Sequence, residues 1–279
     1  MWSRKRNSHF PFLKFSIITP SFNQGHFIRD CLESVFSQID VSDGHAVEHI
    51  VVDGGSTDDT VRILEKWKAD RKRESYEFTF LSESDDGMTD AINKGFRMAS
   101  GDWLAWLNTD DYLLAGALKK VGAFPDASAA DVLYGDCLFV DADKRVLREK
   151  KELDFDFNML LFYGCFIQST ACFLRRSLIE QGHLLDPSYK ITMDYEYYLR
   201  LAQAGARFRH VPETLAAFRW HGNNLSSVQT VKRKQERLRA QFAALERRGT
   251  PWLAQATLLE GLFRWQQLIR ISQRVLGKR

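Results

Sequence analysis

Four short apolar runs alternate with segments whose apolar residues recur at helical spacing, and this alternation constrains the fold more than any other feature. The runs are rich in β-branched and aromatic residues, as buried strands are: Phe15–Thr19, His49–Val52, Phe78–Leu81 and Trp103–Leu107. Strands that alternate with helices build a mostly parallel sheet with helices on both faces. The sequence therefore predicts an α/β fold, with a mostly parallel central sheet flanked by helices.

The intervening segments show the apolar stripes expected of helices. The stripes are Ile28, Leu32 and Val35 in the first helix, Val61, Leu64 and Trp67 in the second, and Ile92 and Phe96 in the third. Asn23 and Ser56 are predicted to cap the first two helices, because short polar side chains accept hydrogen bonds from the free N–H groups of a first turn.

The second half of the sequence is less regular. It predicts a strand at 132–134, a hairpin over 138–147, a helix over 194–204, and two short strands at 207–211 and 215–218. Two helices are expected to end the chain, at 228–247 and at about 252–276, with Pro251 between them.

Polar clusters follow all four early strands. They are Thr19-Pro20-Ser21, Asp53-Gly54-Gly55, Glu83 to Asp86, and Asn108 to Asp111. Because parallel strands end at the same edge of a sheet, these clusters are expected to meet there, where open α/β sheets bind ligands. The sequence therefore predicts one binding site at this edge.

Asp110 and Asp111 form the most unusual of these clusters. Adjacent carboxylates repel each other and are costly to desolvate, but they suit a hard divalent cation, which takes oxygen ligands. The alternative is a helix N-cap, since residues 112–120 could be helical.

Three further residues each have a functional and a structural interpretation. Asp53 could accept hydrogen bonds from a base or ribose, or could belong only to the turn and capping box of 53–59. Asp194 could be a general base with a raised pKa, or a helix cap. His221 could contact a metal or a phosphate, although a lone histidine is more often structural.

Several function classes lose support. A net charge of +3 gives no case for nucleic acid, and the chain has neither G-x-G-x-x-G nor a Walker A motif. The four cysteines form no C-x-x-C pair, so reduced thiols in the cytoplasm are expected. No signal peptide or apolar run of about 18 residues is found, which predicts a soluble or peripheral protein.

Seven of these stretches together resemble the GT-A fold family 2 glycosyltransferases. In chain order they are IITPSFNQGHFIRDCLESVFSQ, VVDGGSTDDT, ESDDGMTDAINKG, GDWLAWLNTDDYL, QSTACFLRRSL, MDYEYYLRLAQAG and FRWHGNNLS. The resemblance spans roughly residues 15–227. It implies a Rossmann-like GT-A domain at 1–225, with a nucleotide-binding half at about 15–112 and an acceptor half at about 113–225.

The resemblance assigns roles to individual residues. Thr19, Ser21 and Asp53 would hold the nucleobase and ribose of the donor, and Asp85 would shape the nucleotide pocket. Asp111 would ligate Mg²⁺ or Mn²⁺, and Asp110 would support the ribose or the metal. Asp194 is the expected base, and His221 is a metal or phosphate contact. Two positions depart from the family pattern: Asn108 replaces the first Asp of the D-x-D-like motif, and Met193 replaces a frequent Glu.

The implied reaction is inverting transfer of a sugar from a nucleotide-diphospho-sugar, with a UDP-sugar expected, to a saccharide or lipid-linked saccharide acceptor. The product would be a surface polysaccharide or glycolipid. A sugar nucleotidyltransferase and a catalytically silent nucleotide-binding or scaffold module are the alternatives.

A C-terminal helical extension is predicted at 226–279. Its second helix carries one apolar stripe, formed by Leu258, Leu262, Trp265, Ile269 and Leu276. The stripe is expected to pack on the protein's own core or on a second subunit. The alternative is a peripheral contact with the inner face of a membrane, because the preceding helix is basic.

Overall fold

The computed structural model describes residues 12–41, 44–222, 224–225, 229–249 and 261. The strands are β1 (Lys14–Ser21), β2 (Ala46–Asp53), β3 (Tyr76–Ser82), β4 (Trp103–Trp106), β5 (Tyr112–Leu113), β6 (Val132–Val140), β7 (Val146–Lys150), β8 (Cys172–Arg175) and β9 (Phe208–Arg219). The helices are α1 (Ile28–Phe36), α2 (Thr60–Asp70), α3 (Met88–Met98), α4 (Ala117–Gly122), α5 (Arg176–Glu180), α6 (Met193–Gln203) and α7 (Thr230–Arg247). A π-helical turn lies at Met159–Tyr163, and 3₁₀ turns lie at Ser37–Val41, Ala127–Ala129 and Ser169–Ala171.

Within these residues the strands form one mixed sheet in the order β3-β2-β1-β4-β8-β6-β9-β5, with β7 paired to β6. The first four strands of that order are parallel, so their carboxyl ends share one edge. Strand β8 is antiparallel to both β4 and β6, while β6 and β9 are parallel. The predicted fold class is confirmed, and the parallel arrangement is concentrated in the half that carries the polar clusters.

Helices cover both faces of the sheet. One apolar core joins α3, α6 and α7 to the sheet and includes Ile92, Phe96, Tyr198 and Ala244. Residues of α1 and α4, among them Cys31 and Leu118, pack on the other face, and α2 packs beside α1. The sheet is therefore the middle layer of three, which keeps its strand ends rigid.

The predicted N-caps are wrong. Helix α1 begins after Phe27 and α2 after Asp59, and neither has a side-chain cap bond. Asn23 instead adopts a left-handed conformation with φ of 51°, and its Oδ1 accepts from the Thr57 N–H at 2.9 Å. The Ser56 hydroxyl accepts from the Asn23 N–H at 2.7 Å. The two side chains join the loops after β1 and β2 to each other, and each helix begins later than predicted.

The two strands predicted at 207–211 and 215–218 form one continuous strand, β9. Pro212 lies where the register against β6 shifts, between the Val211–Gly135 and Thr214–Asp136 pairs. An irregularity of this kind accommodates proline because the missing N–H falls outside the ladder of hydrogen bonds.

Helix α7 confirms the first of the two predicted C-terminal helices. Its buried face includes Ala240, Ala244 and Leu245. The second predicted helix and its apolar stripe lie outside the described residues, apart from Gly261. Among the described residues, no helix combines the length and the hydropathy needed to span a bilayer.

Candidate active site

The carboxylate of Asp53, fully buried at the end of β2, organises the turn that follows it. It accepts from the N–H groups of Gly55 at 3.2 Å and Ser56 at 2.9 Å, and from the hydroxyls of Ser56 and Ser82. The Ser82 bond, at 2.7 Å, ties the end of β3 to the end of β2. Asp53 therefore builds a rigid floor at the carboxyl edge.

Asp85 lies directly against this turn. A Cβ atom on Gly54 would stand 2.9 Å from Asp85 Oδ2, so a larger residue cannot replace Gly54 without displacing the carboxylate. The Gly87 N–H donates to the other oxygen of Asp85 at 2.8 Å. The structure thus brings Asp53 and Asp85 together at neighbouring strand ends.

Residues at the end of β1 differ in what they present. The Thr19 hydroxyl is fully buried and lies 2.9 Å from His49 Nε2, which places it in the core behind the edge. The Ser21 hydroxyl and Asn108 Oδ1 are buried, and neither has a hydrogen-bond partner within the described part of the chain. Phe22, which the sequence reasoning missed, is 58% exposed. An exposed ring and two unsatisfied polar atoms suit a ligand at this edge better than they suit a folded core.

Asp111 is fully buried and satisfied by the protein. The Thr170 hydroxyl donates to its Oδ2 at 2.9 Å, and the Arg219 N–H donates to its Oδ1 at 2.9 Å. Burial and the neighbouring charge of Asp110 raise the pKa of Asp111 well above its usual range, although both hydrogen bonds oppose that shift. Its carboxylate links the end of β4 to β9 and to the turn before β8.

Asp110 points elsewhere. Its Oδ2 lies 3.0 Å from His221 Nε2 and 3.4 Å from Asn224 Nδ2, and both members of the Asp110–His221 pair remain partly exposed. Residues 112–113 form β5 rather than a helix, so neither aspartate is a helix N-cap. The capping alternative for this pair is wrong.

Arg219 holds this corner together and was also missed. Its buried guanidinium donates to Asp30 on α1 at 2.7 Å and lies over the ring of Phe27, 4.7 Å from the ring centre. Its carbonyl accepts from Asn224 at 2.8 Å. Arg219 thereby fixes the segment that carries His221. Because Arg219 and Asp30 are 189 positions apart, no local pattern in the sequence indicates the pair.

Asp194 lies in the first turn of α6, the helix that packs on the sheet together with α3 and α7. Burial raises its pKa to about 6, while the N–H groups at the helix start, including that of Tyr195 at 2.8 Å, lower it. A carboxylate with a pKa near neutrality can accept a proton efficiently at physiological pH. The turn 169–171 leads from Thr170, which contacts Asp111, into β8, where Cys172 shares one apolar core with Met193 and Tyr195 on either side of Asp194.

The donor set at Asp110 fits a divalent cation with few protein ligands. Within the described residues there is no cluster of three or more His, Cys, Asp or Glu side chains that could hold a metal ion. Asp110 and His221 offer one carboxylate and one imidazole, and the unsatisfied Asn108 Oδ1 lies two residues away. Mg²⁺ often takes one or two carboxylates and completes its shell with substrate phosphates and water.

Comparison with known proteins shows the family of the chain. The model of the family "Glycosyl transferase family 2" matches residues 16–182, which is more than half of the chain. The chain belongs to glycosyl transferase family 2. A PGL/p-HBAD biosynthesis glycosyltransferase of Mycobacterium bovis is 31% identical over 202 residues, which are 71% of this chain and 74% of that protein.

Two solved structures share the fold of this family 2 chain. Staphylococcus aureus TarS 1–349 in complex with UDP-GlcNAc has a TM-score of 0.67 at 20% identity, covering 90% of this chain and 71% of that one. The mannosyltransferase PcManGT of Pyrobaculum calidifontis, in complex with GDP-Man and Mn²⁺, has a TM-score of 0.61 at 17% identity, covering 91% and 74%. The GT-A resemblance of the sequence is confirmed.

Proposed function

We propose that this family 2 chain is a metal-dependent inverting glycosyltransferase that moves a sugar from a nucleotide-diphospho-sugar to an acceptor hydroxyl. The hydrogen bond between Thr170 and Asp111 carries the proposal, because it joins the acidic pair to the segment that runs past Asp194. A cation site on one side of this short turn suits the leaving diphosphate, and a base on its other side suits the attacking hydroxyl.

The donor nucleotide would lie along the ends of β1, β2 and β3. Asp53 and Asp85 form the wall there, the Ser21 hydroxyl is free to bond, and the Phe22 ring is exposed for stacking on a base. Thr19 would act from behind, by holding β1 through His49. The UDP-GlcNAc in the TarS structure supports a UDP-sugar, and the GDP-Man in PcManGT makes a guanosine donor the comparison to test.

Asp110 and His221 would hold Mg²⁺ or Mn²⁺, with Asp111 as a buried support. The sequence prediction gave the cation to Asp111 first, but both oxygens of Asp111 already accept hydrogen bonds from the protein. A bound cation would neutralise the charge that develops on the leaving diphosphate. The Mn²⁺ in the PcManGT structure supports a divalent cation in this fold.

Asp194 would take the proton from the acceptor hydroxyl as that oxygen attacks the anomeric carbon. One displacement of this kind inverts the anomeric centre. The proposed domain is residues 1–225, with the donor bound by about 15–112 and the acceptor by about 113–225.

The acceptor class follows from the relatives by analogy. The mycobacterial relative is named for PGL/p-HBAD biosynthesis, which supports a glycolipid or surface-polysaccharide product and a lipid-linked saccharide acceptor. A cytoplasmic location, with a peripheral contact between the extension 226–279 and the inner face of a membrane, belongs to this proposal.

Thermal shifts with UDP and GDP, each with and without Mn²⁺, test donor binding, since a ligand of the native state raises its melting temperature. We expect a nucleotide-induced shift that depends on the cation, and transfer from the matching nucleotide-sugar. Asp194→Asn should keep the shift and lose transfer, whereas the exposed control Asp126→Asn should keep both. Transfer by Asp194→Asn at the wild-type rate would contradict the proposal, and a wild type that binds but never transfers would indicate a silent binding module.

A further inference from the structure

Lys150, the last residue of β7, ties the end of that strand to Glu152 and to Phe166, and the proposed mechanism does not yet use these contacts, which are called the clamp below. Its ammonium donates to Glu152 Oε1 at 2.7 Å and to the backbone carbonyl of Phe166. The Glu152 side chain is 1% exposed and that of Lys150 is 22% exposed, so the carboxylate is desolvated while the ammonium keeps some contact with water. A buried pair of this kind loses far more than a surface pair when one partner is removed.

The clamp is fixed to two strands of the sheet. The Glu152 N–H donates to Asp136 Oδ1 on β6 at 2.9 Å, and the same oxygen lies 2.8 Å from His210 Nε2 on β9. The ring of Tyr134 stacks on His210, and its hydroxyl donates to the Leu153 carbonyl at 2.6 Å. Lys150 therefore reaches Phe166 from a rigid base and cannot adjust freely.

Phe166 lies in the segment 164–168, and Phe166 and Ile167 share one apolar core with Met193 and Tyr195, the two neighbours of Asp194. Cys165 of this segment interacts electrostatically with both Asp194 and Lys150. The π-helical turn at Met159–Tyr163 precedes the segment, and Gly164 has φ of 120°, so the path of the chain here is unusual. Such a path persists only where neighbouring contacts hold it.

The groups that interact electrostatically with Asp194 in the described structure come from four elements. They are Lys150 on β7, Cys165 in the segment 164–168, Cys172 on β8 and Tyr198 on α6 itself. Burial raises the pKa of the Cys172 thiol and of the Tyr198 phenol above its usual range, so both are neutral at pH 7. Lys150 is the charged member of this set, and its ammonium lowers the pKa of Asp194 against the effect of burial.

We propose that Lys150 is a positioning residue of the acceptor side, which clamps the segment 164–168 through the Phe166 carbonyl and presents a positive charge to Asp194. The inference rests on the proposed function, because it gives Asp194 the role of the base. It adds a residue that touches neither substrate nor cation and acts through the wall and the charge around that base.

Three variants test the clamp in the full-length protein: Lys150→Met, Lys150→Arg and the exposed neighbour Lys151→Met as matched control. Hydrogen exchange of the peptide that contains 164–168 should speed up in Lys150→Met and stay at the wild-type rate in Lys151→Met. For transfer, Lys150→Met should lower kcat about tenfold and move the acid limb of the pH–rate profile up by about half a unit, because Asp194 loses a favourable charge. Lys150→Arg should return the limb toward its wild-type position.

Lys150→Met also leaves the Glu152 carboxylate buried and unpaired, which could unfold the protein. The double variant Lys150→Met/Glu152→Gln removes both charges together, so it should regain stability without regaining kcat. Nucleotide-induced thermal shifts should be unchanged in all variants, since the donor edge lies elsewhere. Unchanged exchange in 164–168, an unmoved acid limb, or nucleotide binding that falls in step with kcat would each overturn the proposal.

The hydrogen-exchange measurement does not require transferase activity. Faster exchange of 164–168 in Lys150→Met, in a protein that transfers no sugar from any donor, would support the clamp and contradict the proposed function. Normal transfer in Lys150→Met with unchanged exchange would support the proposed function and contradict the clamp. The failure of the clamp and the failure of the proposed function are therefore distinguishable.

Discussion

Asp194 combines burial with a helix N-terminus, and these two influences on a carboxylate oppose each other. Burial is the larger, so the pKa rises to about 6. Since the base must be ionised to accept a proton, kcat/KM should rise with pH through about 6 and level off above it. Asp194→Asn should lower transfer by about 10²–10⁴-fold at pH 7.5, the range usual for loss of a general base. A pH–rate profile of the wild type over pH 4.5–8.5 measures the limb, and a flat profile would exclude Asp194 as the base.

The same shift has a consequence for stability, with a definite sign. A carboxyl whose folded-state pKa is raised costs the native state free energy as pH rises from about 4 to about 6, because the unfolded chain ionises first. Asp194→Asn removes that cost. It should raise the free energy of unfolding by about 1–3 kcal/mol at pH 8 and by little at pH 4. Urea unfolding at both pH values checks this, and an equal effect at both would show that ionisation is not the cause.

The adjacent aspartates should respond differently to mutation, although the sequence treats them as a pair. Asp110 contacts His221 at the partly exposed edge, whereas Asp111 is fully buried and bonded to Thr170 and Arg219. Asp110→Ala should abolish the cation-dependent part of the nucleotide shift and leave the melting temperature of the free protein nearly unchanged. Asp111→Ala should lower that temperature itself by several degrees, since it strands buried donors at a cost of about 1–3 kcal/mol each. Equal losses of stability in the two variants would contradict this division of roles.

The residue types at the site were predictable from the sequence, but their partners were not. Carboxylates after strand ends indicate a shared edge, and this is where Asp53 and Asp85 lie together. The difference between Asp110 and Asp111 depends on Thr170 and Arg219, which are 59 and 108 positions from Asp111. Contacts of that separation follow from the strand order, which local periodicity does not contain.

Helix α3 packs on β1 through a glycine, and this contact sets how closely the layers approach. A Cβ on Gly95 would overlap the side chain of Ile18, which is fully buried in β1. Gly95→Ala should therefore destabilise the fold by about 1–3 kcal/mol, although alanine is the better helix former. Met98→Ala on the exposed part of the same helix should change stability by about 0.5 kcal/mol or less. Chemical denaturation of both variants checks the contact, and a more stable Gly95→Ala would show that the layers can separate at no cost.

At the level of elements, the sequence predicted strongly periodic segments well and short ones poorly. Strands β1 to β4 were expected because each is a continuous apolar run, and helices α1 to α3, α6 and α7 because their apolar residues repeat over several turns. Strand β5, with two residues, and strand β8, which is as short as β4, were missed. They form because neighbouring strands supply their hydrogen bonds, which tertiary context provides and local pattern does not.

The whole molecule is electrically divided in a way that its small net charge conceals. Residues 226–279 carry 12 Lys and Arg and three Glu, a net charge of +9, so the preceding residues carry −6. On the outer side of α7, Val231, Leu238 and Phe242 are exposed at a spacing that places them on one face, and the exposed Lys232 and Arg233 lie in the first turn of the same helix. A basic helix with an exposed apolar stripe suits the surface of an anionic bilayer.

This division makes the membrane part of the proposed function testable on the full-length protein. Each basic residue near an anionic surface contributes about 1 kcal/mol to binding, and the contribution falls with salt. The chain should therefore co-float with vesicles that contain 30% phosphatidylglycerol at about 0.1 M salt, should release at about 0.5 M, and should not bind pure phosphatidylcholine. Lys232→Glu/Arg233→Glu should reduce binding at least tenfold, because it reverses two exposed charges in the first turn of the helix that carries the apolar face. The matched pair Lys66→Glu/Lys72→Glu reverses two exposed charges in and just after α2, and binding should stay near the wild-type level. Equal losses of binding in the two double variants would show that net charge alone is responsible. No binding to either vesicle would contradict the membrane contact and indicate that the exposed apolar face of α7 packs within the protein or on a second subunit.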